Sequence, residues 1–338
     1  MTKLRNHIAV FTVLTMLALL LASCGANSNS AGSQHSTESV STGSADPSKQ
    51  TEPATRTFKD AKNRSVVIPQ QPQRIIAHYF PAEAVALGIK PIGTNLVTAR
   101  QILSEDQLKG IEDIGGQGTE PNLEKVLALN PDLILVPDFL GEASIEALSK
   151  IAPTVAVSYT IDVFSRLQLL GDITGKAKEA EAWINSYRSK AQEKREQLKS
   201  YVKPGETATA LNYFQDKKLY VYGNQRLGAT MYDALGFQRT EKAKLLFADN
   251  PNALWQSISA EVLPEVVGDT IFIVVNDANP DIKSGVEELL QSPLWKNLPA
   301  VKNGRAYIVG NKWSFYDPIT LDWLLDEMPK KLMTKSSN

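Results

Sequence analysis

The chain is poor in the side chains that build metal centres, because its 338 residues include a single cysteine and three histidines. A lone cysteine cannot form an internal disulfide bond, so Cys24 needs another explanation. Of the histidines, only His78 lies in the part of the chain that we expect to fold. These numbers disfavour a zinc, manganese or iron site built from several histidines or thiolates.

Motifs for nucleotide binding and for nucleophilic catalysis are also missing. No G-x-G-x-x-G follows a predicted strand and no G-x-x-x-x-G-K-[ST] occurs, so nucleotide binding lacks support. A Ser-His-Asp triad would have to use His78, and there is no G-x-S-x-G elbow. The formal net charge of −1 gives no sign of a nucleic-acid partner. We therefore predict a protein that is not an enzyme and holds no cofactor.

The N-terminus has the pattern of an export signal. Lys3 and Arg5 precede an uncharged run over residues 8–22, which is shorter than the roughly 20 apolar residues that a membrane-spanning helix needs. The run ends in Leu-Ala-Ser-Cys-Gly, which resembles the end of a bacterial lipoprotein signal. We expect removal of residues 1–23 and lipidation of Cys24, which would anchor the protein to the extracytoplasmic face of the cell membrane. The alternative is an ordinary secretory signal that happens to end at a cysteine.

A long amphipathic segment near the middle of the chain organises the rest. Apolar residues recur at helical spacing over residues 176–202, and Pro204 follows as a stop signal. Strands alternate with helices on both sides of it, which is typical of α/β lobes. We interpret the segment as a rigid connector between two lobes; the alternative is a surface helix of a single domain. The predicted division is a signal peptide at 1–23, a flexible Ser/Thr-rich tether at 24–57, an N-terminal α/β lobe at 58–165, a connecting helical segment at 166–203 and a C-terminal α/β lobe at 204–338.

The two halves of the body contain a similar sequence pattern. In the first half, Asn122 and Glu124 open an apolar helix that leads into an apolar strand. In the second half, Ser259 and Glu261 stand in the same relation to a helix and a strand. Each lobe thus has a capped helix with a glutamate in its first turn. Two related lobes would leave a cleft between them, where ligands commonly bind.

These features resemble the substrate-binding lipoproteins of Gram-positive iron–siderophore ABC importers, within the wider ferric-siderophore/cobalamin-type binding-protein family. The resemblance covers residues 58–338 and rests on five stretches in the same order. They are Pro-Gln-Arg-Ile-Ile from Pro72, Glu-Ala-Val-Ala-Leu-Gly-Ile-Lys-Pro-Ile-Gly from Glu83, Pro-Asn-Leu-Glu-Lys-Val-Leu-Ala-Leu-Asn-Pro-Asp-Leu-Ile-Leu from Pro121, Ile-Ala-Pro-Thr from Ile151 and Trp-Lys-Asn-Leu-Pro-Ala-Val-Lys-Asn-Gly-Arg-Ala-Tyr from Trp295. The resemblance implies two Rossmann-like α/β lobes joined by one long rigid helix, with only small closure on binding.

The resemblance also implies partners. A ferric siderophore would bind between the lobes and pass to an ABC permease dimer with a cytoplasmic ATPase. A glutamate on each lobe would dock into arginine pockets of the permease, and the matching positions are Glu124 and Glu261. The alternative is that both are first-turn carboxylates favoured by the helix dipole.

A ferric siderophore is bulky and often anionic, so its site needs cationic side chains and aromatic walls. The metal is already chelated, so protein ligands to it are unnecessary. The predicted contacts are Arg100 and Arg226 as anion clamps, Tyr79, Phe139 and Trp313 as apolar walls, and His78, Gln117 and Asn276 as polar contacts. Phe139 and Trp313 could instead belong to the core, and Arg100 could be a solvated loop charge.

Other functions stay open at this point. Haem or cobalamin could occupy the same fold, because those ligands also take aromatic walls and a few basic groups. An anchored extracellular hydrolase would need His78 as a catalytic residue. A purely structural adhesin would bind no small molecule at all.

Overall fold

The structure is a computed structural model that describes residues 54–214, 216–276 and 280–334, all within one compact unit. The predicted signal peptide, the Cys24 lipidation site and residues 24–53 of the predicted tether lie outside the described residues. The first strand begins at Thr55, ahead of Phe58, where the sequence predicted the body to start. Within the described ranges, no helix is both long and apolar enough to cross a membrane.

The N-terminal lobe contains a five-stranded parallel sheet in the order β5-β4-β3-β6-β7, preceded by an antiparallel hairpin of β1 and β2. The strands are β1 (Thr55–Lys59), β2 (Ser65–Pro69), β3 (Ile75–Ala77), β4 (Gly93–Thr94), β5 (Glu112–Asp113), β6 (Leu133–Pro137) and β7 (Thr154–Val157). The helices are α1 (Pro81–Ala86), α2 (Leu96–Ala99), α3 (Glu105–Leu108), α4 (Leu123–Ala128) and α5 (Glu142–Ser149). Strands β3, β6 and β7 are buried along their whole length, as expected for short apolar runs in a parallel sheet.

Two helices lead out of this lobe, α6 (Val163–Thr174) and α7 (Ala177–Leu198). They cross so closely that a Cβ at Gly171 would lie 2.9 Å from the Cβ of Ala180. Helix α7 has 22 residues and is therefore about 33 Å long. Ala180 and Ile184 belong to the core of the N-terminal lobe, whereas Tyr187 and Leu198 belong to the core of the C-terminal lobe. The helix is thus packed into both cores, which makes it a rigid connector.

The C-terminal lobe contains a five-stranded mixed sheet in the order β10-β9-β8-β11-β12, in which β9 runs antiparallel to both neighbours. The strands are β8 (Ala208–Tyr213), β9 (Leu219–Tyr222), β10 (Trp255–Ile258), β11 (Thr270–Val275) and β12 (Ala306–Gly310). The α-helices are α8 (Glu241–Leu245), α9 (Leu263–Val266), α10 (Pro280–Gln291), α11 (Pro293–Lys296), α12 (Pro299–Lys302) and α13 (Pro318–Met333). A π-helical turn spans Ala229–Ala234, and 3-10 turns span Ala260–Val262 and Asn311–Ser314.

The predicted architecture is confirmed: two α/β lobes flank one long helix. Two local predictions were wrong. The apolar residues at 89–93 predict a short strand, which is reduced to Gly93–Thr94. The pattern over residues 260–267 predicts one helix, which is divided into a 3-10 turn and α9. The second difference has a clear cause, because Pro264 in the first turn of α9 lacks the N–H that would continue a helix from the residues before it.

Candidate ligand-binding cleft

The N-terminal lobe places three aromatic rings together at the carboxyl ends of its strands. Tyr79 follows β3, Phe139 follows β6 and Tyr159 follows β7. The ring centroids lie 5.5 Å apart for Tyr79 and Phe139 and 5.3 Å apart for Phe139 and Tyr159, both in edge-on geometry. Phe139 remains 48% exposed, so the cluster offers apolar surface rather than filling the core. The sequence predicted Tyr79 and Phe139 as walls and missed Tyr159.

The C-terminal lobe contributes an arginine in a constrained conformation. Arg226 follows β9 and has a φ of 54°, in the left-handed region that residues other than glycine seldom adopt. Its Nη1 donates to the carbonyl oxygen of Ser314, and its guanidinium carbon lies 6.0 Å from the centre of the Trp255 ring. The Nε is buried with no hydrogen-bond partner among the residues described. Arg226 also lines a cavity between the lobes, and a guanidinium fixed by the Ser314 carbonyl is suited to donate its other N–H groups to an oxygen-rich ligand.

The two sides meet around a cavity of about 340 Å³. Its lining residues are Tyr159, Thr160, Arg166, Gln225, Arg226, Asn252, Leu254 and Tyr316. A larger cavity of about 710 Å³ runs along α7 and shares Gln225, Asn252 and Tyr316 with the first. Together they have the volume that a drug-sized ligand requires. We call the first cavity and the adjoining rings of Tyr79 and Phe139 the cleft.

Buried charge lies directly behind the cleft. Nε of Arg166 donates to Oε1 of Glu83 at 2.7 Å, and each of these two side chains is only 2% exposed. Asp317 is also buried and caps α13, accepting the backbone N–H of Thr320 at 2.8 Å. Burial, followed by repulsion from Glu83, raises the pKa of Asp317 to about 6. In the sequence, Asp317 directly before Pro318 predicts this cap, whereas nothing indicates the Glu83–Arg166 pair.

Two predicted ligand contacts need correction because the structure buries them. His78 has no exposed surface, and burial lowers its pKa to about 4, so the imidazole is neutral at pH 7. Trp313 is 5% exposed and stacks on Phe272 with ring centroids 5.6 Å apart. In this structure neither side chain presents surface to a ligand; Trp313 is the core residue that the sequence allowed as an alternative.

Three other predicted contacts lie away from the cavity. Arg100 is exposed at the end of α2, beside Gln101, whose Oε1 accepts a hydrogen bond from Asn311 of the other lobe at 3.0 Å. Gln117 is exposed in the loop before α4, and Asn276 is partly buried after β11. None of the three lines the 340 Å³ cavity.

The two glutamates predicted to dock hold equivalent places in the two lobes. Glu124 lies in the first turn of α4, where Oδ1 of Asn122 accepts the N–H of Lys125 at 3.0 Å. Glu261 lies in the 3-10 turn before α9, where the side chain of Ser259 makes no capping hydrogen bond, so the predicted cap is confirmed only in the first lobe. Both glutamates are exposed. Glu124 precedes β6, the neighbour of β3, and Glu261 precedes β11, the neighbour of β8; β3 and β8 are the first strands of their sheets along the chain.

Two α/β lobes on a single helix, with a cleft between them, define the architecture of a helical-backbone binding protein. Residues 93–312 match the family described as periplasmic binding protein. The chain belongs to this family.

Known relatives align over nearly the whole chain. The iron(3+)-hydroxamate-binding protein FhuD of Bacillus subtilis (strain 168) is 35% identical over 331 residues, 96% of this chain and 96% of that protein. The probable siderophore-binding lipoprotein YfiY of the same organism is 27% identical over 336 residues, covering 96% of this chain and 98% of that protein. The structure of FhuD2 from Staphylococcus aureus with bound ferrioxamine B superposes with a TM-score of 0.65 at 26% identity, covering 78% of this chain and 100% of that one.

Proposed function

We propose that this chain is a lipid-anchored substrate-binding protein that captures a ferric hydroxamate siderophore and delivers it to an ABC permease. The observation that carries the proposal is the cleft itself, where Tyr159 of one lobe and Arg226 of the other line the same cavity. Tyr159 is in contact with Phe139, which in turn contacts Tyr79, so the aromatic cluster adjoins that cavity. The similarity to FhuD, an iron(3+)-hydroxamate-binding protein, favours hydroxamates among the siderophore classes.

The chemistry of the cleft suits a metal that arrives already chelated. A ferric hydroxamate presents oxygen atoms around the metal and apolar linkers between them. Arg226 has N–H groups for those oxygens, and the rings of Tyr79, Phe139 and Tyr159 can pack on the linkers. Burial raises the pKa of the Tyr159 phenol, although Arg226 and Arg166 act in the opposite direction, so it is a neutral donor at pH 7.

A hydrolytic function has no support in the geometry around His78. Neither ring nitrogen has a hydrogen-bond partner among the residues described, so no hydroxyl or carboxylate is in place to form a triad with it. We therefore propose that the protein binds its ligand without a catalytic step.

Delivery would use surfaces outside the cleft. Glu124 and Glu261 are exposed on equivalent elements of the two lobes, so a permease dimer could contact both at once. A lipid on Cys24 would hold the body at the extracytoplasmic face of the membrane, and a cytoplasmic ATPase would drive import.

The test is a titration of the full-length protein followed by tryptophan fluorescence, since Trp255 lies beside Arg226. The ligands are ferric ferrioxamine B, ferric citrate, a ferric catecholate, haem and cobalamin, with metal-free ferrioxamine B as the control. We expect saturable quenching by ferric ferrioxamine B and a much weaker response to the metal-free form. A fluorescence change with haem or cobalamin alone would show that the proposed ligand is wrong. No fluorescence change with any ligand, confirmed by calorimetry, would refute a binding function for the cleft.

A further inference from the structure

Arg166 is among the largest fully buried side chains of the protein, and it bonds to segments from both lobes. It lies on α6, where Leu167, Leu170 and Ile173 belong to the core of the N-terminal lobe. Its Nη1 donates to the carbonyl oxygens of Tyr159 at 3.1 Å and Ile161 at 3.3 Å, in the same lobe. Its Nη2 donates to the carbonyl oxygen of Tyr316, which packs against the core of the C-terminal lobe and precedes Asp317, the N-cap of α13.

The two tyrosines held in this way, Tyr159 and Tyr316, are the two that line the 340 Å³ cavity. The guanidinium carbon of Arg166 lies 5.7 Å from the centre of the Tyr159 ring and 6.0 Å from that of Tyr316. One planar group therefore fixes the backbone of both residues and packs against both rings. Glu83 orients that group by accepting from its Nε.

Stability alone does not account for an arginine at this place. A buried ion pair contributes little net stability, because desolvation of the two charges offsets their attraction, and a well-packed apolar pair is often as stable. A guanidinium fork, however, can bond carbonyl groups of two segments at once in a fixed geometry, which neither an apolar side chain nor a lysine can do.

We infer that Arg166 is a positioning residue that sets the separation of the two walls of the cleft, and through it the affinity for the ligand. The inference rests on the proposed function for its ligand, but the separation of the lobes can be measured without one.

The experiment compares Arg166→Lys with Arg64→Lys in the full-length protein. Arg64 serves as the control, because it also bonds a buried carboxylate, that of Asp60, and a backbone carbonyl, that of Thr154. It lies outside the cleft, and its side chain is 32% exposed. Spin labels on cysteines at Val97 and Leu245, exposed positions on opposite lobes, report the distance between lobes in a Cys24→Ser background. Binding of ferric ferrioxamine B is titrated in the same variants without labels.

We expect Arg166→Lys to shift or broaden the distance distribution and to weaken binding at least tenfold, while Arg64→Lys changes neither. An unchanged distance and affinity in folded Arg166→Lys would overturn the inference, as would equal effects of the two substitutions. If Arg166→Lys does not fold, Glu83→Gln, which removes the charge that orients the guanidinium, is judged by the same two measurements. If the wild type binds no ferric siderophore, the proposed function fails, and the distance measurement still decides the role of Arg166.

Discussion

Two buried side chains of this protein, His78 and Asp317, have pKa values shifted in opposite directions, and both shifts make the stability of the fold depend on pH. Burial lowers the pKa of His78 from 6.5 to about 4. Burial and the nearby Glu83 raise the pKa of Asp317 from 3.8 to about 6. Folding therefore disfavours the charged form of both groups. Acidification neutralises Asp317, which favours the folded state, and charges His78, which disfavours it.

The size of each effect follows from the shift, since one pKa unit corresponds to about 1.4 kcal/mol. Between pH 7 and pH 4 the unfolded chain protonates His78 and the folded protein does so only partly, so stability falls by about 3 kcal/mol as pH decreases. Over the same range the folded protein protonates Asp317 before the unfolded chain does, so stability rises by about 2 kcal/mol. In the wild type these contributions nearly cancel.

Substitution of either group removes the cancellation. We expect His78→Phe, which keeps a ring of similar size, to gain about 3 kcal/mol relative to the wild type on going from pH 7 to pH 4. We expect Asp317→Asn, which keeps an acceptor for the cap of α13, to lose about 2 kcal/mol over the same interval. Urea unfolding of the three proteins at pH 4, 5, 6 and 7 measures these differences.

The comparison uses the change of stability with pH and not its absolute value. Packing defects drop out because they do not depend on pH, and the other carboxylates drop out because all three proteins share them. If the three profiles run parallel between pH 4 and pH 7, the reasoning from burial is refuted. If only one variant departs from the wild type, the assignment of the other group is wrong.

Three further predictions concern binding, docking and anchoring. Arg226→Ala should weaken binding of ferric ferrioxamine B more than tenfold, about 1.4 kcal/mol, whereas Arg100→Ala, outside the cavity, should leave it unchanged in a fluorescence titration; equal effects would contradict the site. Glu124→Ala combined with Glu261→Ala should abolish uptake of radiolabelled iron while affinity and melting temperature stay the same, and a loss of affinity would refute docking. Cys24→Ala should leave the protein in the medium or unprocessed on immunoblots, and a correctly cleaved, membrane-bound product would exclude lipidation.

The sequence was sufficient for elements whose signal is local. Short apolar runs at 154–157, 219–222 and 270–275 predict strands with the bounds that β7, β9 and β11 have. Asn122 and Asp317 cap their helices as predicted. Strand β10 was missed because it is an edge strand, fixed by pairing with β9 and not by a run of apolar residues of its own.

The cleft was predicted only in part, for a related reason. Tyr159 follows β7 just as Tyr79 follows β3, so the same rule of inspecting strand ends could have found it. Arg166 had no such signal, since an arginine in an amphipathic helix is normally exposed. Its burial depends on Glu83, which lies 83 residues earlier in the chain. His78 also follows a strand, but it points into the core.

The path of the chain limits how this architecture can be recombined. The backbone passes from one sheet to the other once, through α7, so the lobes look like modules that could be exchanged between relatives at that helix. Helix α13 prevents a free exchange, because it belongs to the C-terminal half of the chain but packs against α1 and α6 of the first lobe. A chimera that takes its C-terminal lobe from a relative would therefore need an α13 that packs correctly against α1 and α6 of this protein. The lobes can therefore be expected to diversify together.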